Sequence, residues 1–180
     1  MGLFDSIGQV KASLDANYVK PGHYLFLIEN GKLSKARDEI PFVVLEMVCV
    51  KVFGDTADYQ PVEDPSAKGH FVGERASHLI KNGGPGKDMF LPNIKAMVTG
   101  VMGIGEDAVK PELVESIFVT EGKESEWRGL VVEVEARNRK TNAGKTFTRV
   151  SYKSAIDPDS FEELGVVLPN EWREKYEQND

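Results

Sequence analysis

Apolar and polar positions alternate in several short stretches of this chain, which is the pattern of half-buried β-strands. The residues from His23 to Ile28 follow a turn at Lys20-Pro21-Gly22 and predict a first strand. The run Pro41–Phe53 is long, β-branched and aromatic, and predicts a second strand. Gly69–Arg75, a shorter run that contains two glycines, predicts a third. The first half of the chain is therefore expected to be mainly β.

The spacing of apolar positions changes to three and four residues between Met89 and Met102. This spacing predicts a helix that buries one face. A proline suited to a first helical turn, Pro111, begins a second short helix that is expected to end near Val119. The glycines between Gly100 and Gly105 fit a helix end followed by a turn.

Two further strands, Leu130–Arg137 and Phe147–Lys153, flank the turn-forming residues Thr141-Asn142-Ala143-Gly144. Three strands, a helix and a closing hairpin are the order of a five-stranded OB-fold-like barrel, with the helix between strands 3 and 4. A β-sandwich or another small barrel with a helical insert has the same order. We divide the chain into a short amphipathic N-terminal extension (residues 1–19), the OB-fold-like domain (residues 20–156) and a C-terminal tail (residues 157–180).

Charge is distributed unevenly along the chain. The segment Ala136–Ile156 holds six lysines and arginines and no carboxylate. The tail from Asp157 onward holds eight carboxylates against two cations, so it carries −6 of the net charge of −7 and leaves only −1 for residues 1–156. A local positive face attracts a polyanion, and a negative tail beside it can compete for the same surface.

Strand alternation decides which side chains of the hairpin share a face. Phe147, Arg149, Ser151 and Lys153 share one side of the last strand, and the preceding strand places Val131, Glu133, Glu135 and Arg137 opposite its apolar Val132, Val134 and Ala136. Ordinary cross-strand pairs between Glu and Arg or Lys are the alternative interpretation. The turn cations Arg139, Lys140 and Lys145 have no carboxylate within the hairpin to pair with.

A second basic cluster lies on the first connection, where a barrel of this kind would flank its ligand groove from the other side. Cations that follow a backbone and aromatic rings that stack bases are the two requirements for binding single strands. Among the aromatic residues we expect Phe53, Tyr59 and Phe147 to be exposed. The predicted nucleic-acid-binding residues are Lys32, Lys35, Arg37, Phe53, Tyr59, Arg75, Arg137, Arg139, Lys140, Lys145, Phe147, Arg149 and Lys153.

Signals for enzymatic chemistry fail on spacing. Gly144-Lys145-Thr146 ends like a phosphate-binding loop, but the first glycine of that pattern would be Arg139 and a strand follows. His70, Glu74 and His78 have no cysteine or second carboxylate nearby, so ordinary histidines are expected rather than metal ligands. Asp157 and Asp159 would need further converging acids to form a nuclease site. We predict neither a catalytic site, a metal nor a cofactor.

The remaining composition predicts a cytoplasmic protein that does not enter a membrane. No apolar run reaches the roughly 20 residues of a spanning helix, and no signal-peptide pattern opens the chain. The single cysteine, Cys49, lies in an apolar run and is expected to be a packed thiol. An exposed edge strand leaves homo-oligomerisation open.

The run Gly22–Ile28, the strand Phe42–Phe53, the helix around Asn93–Met97, the closing hairpin and the acidic C-terminus together resemble phage-encoded single-stranded DNA-binding proteins with one OB-fold. The resemblance implies sequence-tolerant coating of exposed strands in replication or recombination, in the cytoplasm of the host cell. It also implies contacts with replication or recombination proteins through the tail, although Trp172 and Tyr176 depart from a compact acidic tip. A non-enzymatic phage structural protein, or one that binds and inhibits a host protein, is the alternative.

Overall fold

A computed structural model describes residues 18–61, 68–83 and 88–177. Its centre is a sheet of five antiparallel strands, whose bounds are β1 (Gly22–Lys35), β2 (Pro41–Val52), β3 (Arg75–Lys81), β4 (Val131–Lys140) and β5 (Thr146–Ala155). The helices are α1 (Phe90–Met102), α2 (Pro111–Ile117), α3 (Phe161–Leu164) and α4 (Asn170–Glu177). Short 3-10 turns lie at Gly54–Tyr59, Glu106–Ala108 and Pro158–Ser160. The fold is thus mixed α/β, and α1 lies between β3 and β4 as expected.

The strand order in the sheet is β3-β2-β1-β4-β5, and the sheet is open. The closed barrel expected from the order of elements is therefore wrong in one respect, because β3 and β5 form no ladder. Other groups fill the place where that ladder would lie. Tyr18 bridges to Ser77 on β3, and α1 packs against β5. Between the two strands, the His78 Nδ1 atom lies 2.8 Å from the Tyr152 hydroxyl.

Alternation along the strands creates two apolar faces. The larger core lies between one face of the sheet and α1, and it includes Phe26, Leu45 and Val134. The predicted helix positions Ile94, Met97, Val98 and Val101 are all buried there. Burial of this face explains why the spacing of apolar residues identified α1 and the two faces of β4.

The opposite face of the sheet, which we call the outer face, has an apolar patch of its own. Leu25, Leu27, Val48, Val50 and Val131 form this patch. The C-terminal segment (residues 156–177) covers it with Phe161, Leu164, Val166, Leu168, Trp172 and Tyr176. The tail is consequently packed on the sheet beyond Pro169, because Trp172 is only 7% exposed.

Element bounds differ from the expectation mainly at glycines. The predicted third strand Gly69–Arg75 is wrong, because Gly73 has a φ of +91° and the chain turns there before β3 begins. β1 continues through Gly31 to Lys35. At Gly31 the backbone packs closely against α2, because an added Cβ would lie 2.3 Å from the Ile117 carbonyl oxygen. The predicted helix end is confirmed, since Gly103 follows α1 with a φ of +62°. The amphipathic stretch predicted near the N-terminus lies outside the described residues.

None of the helices in the described ranges combines the length and the apolar character needed to cross a membrane.

Candidate nucleic-acid interface

The β4–β5 hairpin extends beyond the rest of the sheet. β4 pairs with β1 only as far as Ala136, so residues 137–149 form a two-stranded arm in which, among the described strands, β4 and β5 pair only with each other. On one face of this arm, Arg137 is directly opposite Arg149, and Arg139 is directly opposite Phe147. The alternation predicted for both strands is confirmed by the burial of Val134, Ala136 and Tyr152 on the other face.

Three cations of the arm have no carboxylate partner among the described residues. Within the described residues, Arg139, Lys145 and Arg149 are exposed and have no ion-pair partner. Arg137 lies over the ring of Tyr59, with its guanidinium carbon 3.8 Å from the ring centroid. Lys140 is also exposed at the end of β4. Two arginines on opposed positions repel each other in the free hairpin, and a bound anion would relieve that repulsion.

The predicted aromatic platforms have three different environments. Phe147 is 47% exposed, as expected. Phe53 is half-buried and stacks on the imidazole of His23 at a centroid distance of 4.0 Å. The expectation that Tyr59 is exposed is wrong, because it is buried beneath Arg137 and against the base of the arm. This burial raises the pKa of the Tyr59 hydroxyl. Tyr59 can therefore position Arg137 but offers no open face to a base.

A polar cluster lies at the base of the arm on the outer face. His23 is the register partner of Glu135, and its Nε2 atom lies 2.7 Å from a Glu133 oxygen while its Nδ1 atom lies 2.9 Å from an Asp55 oxygen. Lys153 donates to Glu135 at 2.7 Å. This hydrogen bond lowers the pKa of Glu135 and raises that of Lys153. The charge of the predicted binding residue Lys153 is thus already compensated.

The second basic cluster lies at the opposite end of β1 from the arm. Lys32 and Lys35 belong to β1 itself rather than to the connection. Lys32 pairs with Glu46 at 2.8 Å, and Lys35 lies 3.8 Å from Glu39. Of these three cations, only Arg37 has no ion-pair partner among the described residues, and it is exposed. This end of the molecule therefore offers less uncompensated charge than the arm.

Between these two ends, the C-terminal segment contacts cations of the outer face. Arg75 donates to Glu29 at 3.0 Å, and Glu171 of α4 lies 3.6 Å from the same guanidinium. Lys51 donates to the Leu164 carbonyl oxygen. A carboxylate of the tail thus sits beside Arg75, one of the predicted binding cations.

The other groups considered for catalysis do not converge. His70 is buried, with its Nδ1 atom 2.9 Å from Glu74 and its Nε2 atom accepting the Lys20 backbone N–H. His78 instead stacks on Tyr152. Cys49 is a buried free thiol whose pKa is raised to about 12 by burial, so it is the packed residue that its sequence position predicted.

Sequence reasoning missed the contacts of His23 with Glu133 and with Asp55, since 110 and 32 residues separate these partners and no local motif marks them. Taken together, the arm offers uncompensated cations and one exposed ring, which is suited to a flexible anion with planar groups.

Searches against protein-family models and against curated protein sequences returned no match for this chain.

Proposed function

We propose that this protein binds single-stranded DNA without sequence specificity, through the face of the arm that carries Arg137, Arg139, Phe147 and Arg149. The observation that supports this most is the direct opposition of Arg137 and Arg149 beside an exposed aromatic ring. Cations take phosphates and release counterions, and a ring stacks a base of any identity. Duplex DNA keeps its bases stacked inside, so it would use only the first of these contacts.

The path of the strand follows from the distribution of charge. Residues 105–126 hold seven carboxylates against two lysines. Val119 in this region bridges to Lys32, so the acidic residues lie toward the end of β1 that is far from the arm. A strand on the arm therefore stays away from this acidic region. In this proposal the arm contributes more to the affinity for a single strand than Lys32, Lys35 and Arg37 do.

The tail has two roles in the proposal. Glu171 beside Arg75 competes with phosphates for the outer face. The exposed Glu174 and Glu177 of α4 are available to replication or recombination proteins, as in the phage proteins that the sequence resembles.

A charge-matched pair of double variants tests the proposal. Arg139→Gln/Arg149→Gln removes two arm cations, and Lys110→Gln/Lys123→Gln removes the same charge from the acidic region. We expect the arm variant to bind oligo-dT at least about tenfold more weakly at low salt, with a log–log salt slope smaller by about 1 to 1.5. The control should bind as the wild type does, as measured by fluorescence anisotropy.

Equal affinities of the two double variants would contradict the proposal. That result, or an absence of binding by the wild type, would favour the alternative function, in which this non-enzymatic protein binds another protein.

A further inference from the structure

The cluster at the base of the arm has the composition and the spacing of a metal site. One nitrogen of His23 and one oxygen each of Glu133 and Glu135 all lie within 4.8 Å of one another. Glu133 and Glu135 are two residues apart on β4 and point to the same face, and His23 on β1 is the register partner of Glu135. Two paired strands therefore hold three ligand atoms in a fixed arrangement, without any loop.

The imidazole of His23 is oriented by the residue on its other side. Asp55 approaches the Nδ1 atom with both oxygens, at 2.9 and 3.1 Å, and leaves the Nε2 atom directed at Glu133. A carboxylate on the second ring nitrogen is the usual support of a metal-binding histidine, because it fixes the tautomer and the ring orientation. Stacking on Phe53 restrains the ring further.

Lys153 is the group that now neutralises the two glutamates. Its ammonium lies 2.7 Å from Glu135 and 3.5 Å from Glu133. The Lys153 side chain is 50% exposed, whereas those of His23, Glu133 and Glu135 are 13%, 24% and 26% exposed. An exposed ion pair contributes little to stability, so the ammonium can move into solvent at little cost. The ligands themselves have much less freedom to move away.

From this geometry we propose that His23, Glu133 and Glu135 bind a divalent first-row transition metal, with Zn²⁺ as the best fit, and that Lys153 occupies the position of the metal in its absence. One imidazole and two carboxylates suit Zn²⁺ better than Mg²⁺, which prefers oxygen ligands alone. Three protein ligands leave a fourth tetrahedral position for an oxygen ligand. Since the site lies beside Arg137 and Tyr59, that oxygen could come from a phosphate of the bound strand, a step that rests on the proposed function.

Cobalt(II) serves as the probe, because it replaces Zn²⁺ and absorbs visible light when its coordination number is low. The full-length protein without an affinity tag is titrated with Co²⁺ in the absence of nucleic acid, and Zn²⁺ is then added. We expect visible bands that one equivalent of Zn²⁺ removes. Glu135→Gln should weaken Co²⁺ binding by at least tenfold, and Asp55→Asn by about 10- to 100-fold, as for other supporting carboxylates.

Lys153→Met distinguishes a metal site from a plain ion-pair network. Removing the competing ammonium should strengthen Co²⁺ binding, whereas a network that only stabilises the fold gains no affinity for a cation. Thermal unfolding and circular dichroism confirm that each variant is folded. An absence of visible bands in both the wild type and Lys153→Met would overturn the proposal, as would bands of equal strength in the wild type and Glu135→Gln. Neither result would contradict the proposed binding of single strands, because the titrations contain no nucleic acid.

Discussion

At the residue scale, the direct opposition of Arg137 and Arg149 is the feature that ligand binding explains better than fold stability does. Cross-strand partners of like charge destabilise a hairpin, so a chain selected for stability alone would avoid this pair. Neither guanidinium is paired with a carboxylate by an ion pair in the described ranges, although Arg137 stacks on Tyr59. The proposed anionic ligand would account for both observations.

Arg149→Thr should therefore make the free protein slightly more stable. Relief of the repulsion from Arg137 and the good strand propensity of threonine favour an increase of about 0.2 to 1 kcal/mol in the free energy of unfolding. Urea denaturation at low salt measures this change. A clear loss of stability would show that Arg149 has a structural partner and would remove the main support for the proposed interface.

His78 gives the stability of the protein a dependence on pH. Burial lowers the pKa of this imidazole to about 4. The unfolded chain takes up a proton near pH 6.5, before the folded chain does, so stability falls as the pH drops from about 6.5 toward about 4. In His78→Gln, whose amide can still accept from the Tyr152 hydroxyl, this loss should be smaller. Urea denaturation at pH 6.5 and pH 5 compares the two proteins, and equal losses would contradict the assignment.

At the scale of elements, the arm and the packing of α1 on β5 each make a separate prediction. The outer face of the arm presents one exposed ring, Phe147, among cations, and in the proposed function this ring contacts the bases. The position of α1 depends on Gly100, where an added Cβ would lie 2.4 Å from the Tyr152 carbonyl oxygen.

Phe147→Ala should reduce affinity for oligo-dT by the stacking of one base, about 1 to 3 kcal/mol. Stability should hardly change, because the ring is 47% exposed. Leu91→Ala on α1, where the side chain is 70% exposed, is the control for loss of an exposed apolar group. Anisotropy with oligo-dT and with an abasic strand of equal length measures the effect. If the loss is as large for the abasic strand, Phe147 does not stack a base.

Gly100→Ala should destabilise the protein by about 1 to 3 kcal/mol, although alanine is the better helix former. The new methyl group has no space against the backbone of β5 and would push α1 away from it. Thr99→Ala, one position earlier, should be close to neutral. Thermal unfolding of both variants provides the measurement, and an increase in melting temperature for Gly100→Ala would contradict the observed packing.

The elements themselves were predictable where one local pattern determined them. Apolar spacing identified α1, and alternation identified the faces of β4 and β5. β3 was misplaced because its partly buried polar residues Ser77 and His78 hide the strand pattern, while the turn before it looks apolar. The cluster around His23 and the docking of Trp172 depend on contacts between distant parts of the chain. No spacing rule contains that information.

At the scale of the whole molecule, residues 157–177 of the acidic tail are part of the folded structure. Trp172 is buried against the apolar patch of the outer face. Two cations approach its ring, with Lys175 at 4.6 Å and Arg128 at 5.5 Å from the ring centroid. The proposed competition between the tail and a strand would therefore act through exposed carboxylates such as Glu171. Complete release of the segment would expose the apolar patch on β1 and β2.

Trp172→Ala should lower the free energy of unfolding by about 3 kcal/mol, because a large buried ring is lost. Glu174→Ala, an exposed neighbour on α4, should change it by less than about 0.5 kcal/mol. Urea denaturation followed by circular dichroism compares the two variants. A Trp172→Ala protein as stable as the wild type would mean that the C-terminal segment is not firmly docked.

The most direct test of the account is a salt series of fluorescence anisotropy titrations with the full chain and a labelled oligo-dT of about 30 nucleotides, with a duplex of the same length as control. We predict binding to the single strand at low salt that is tighter than binding to the duplex and weakens steeply as salt increases. No binding at low salt, or equal binding to single strand and duplex, would contradict the claim that the arm binds exposed strands.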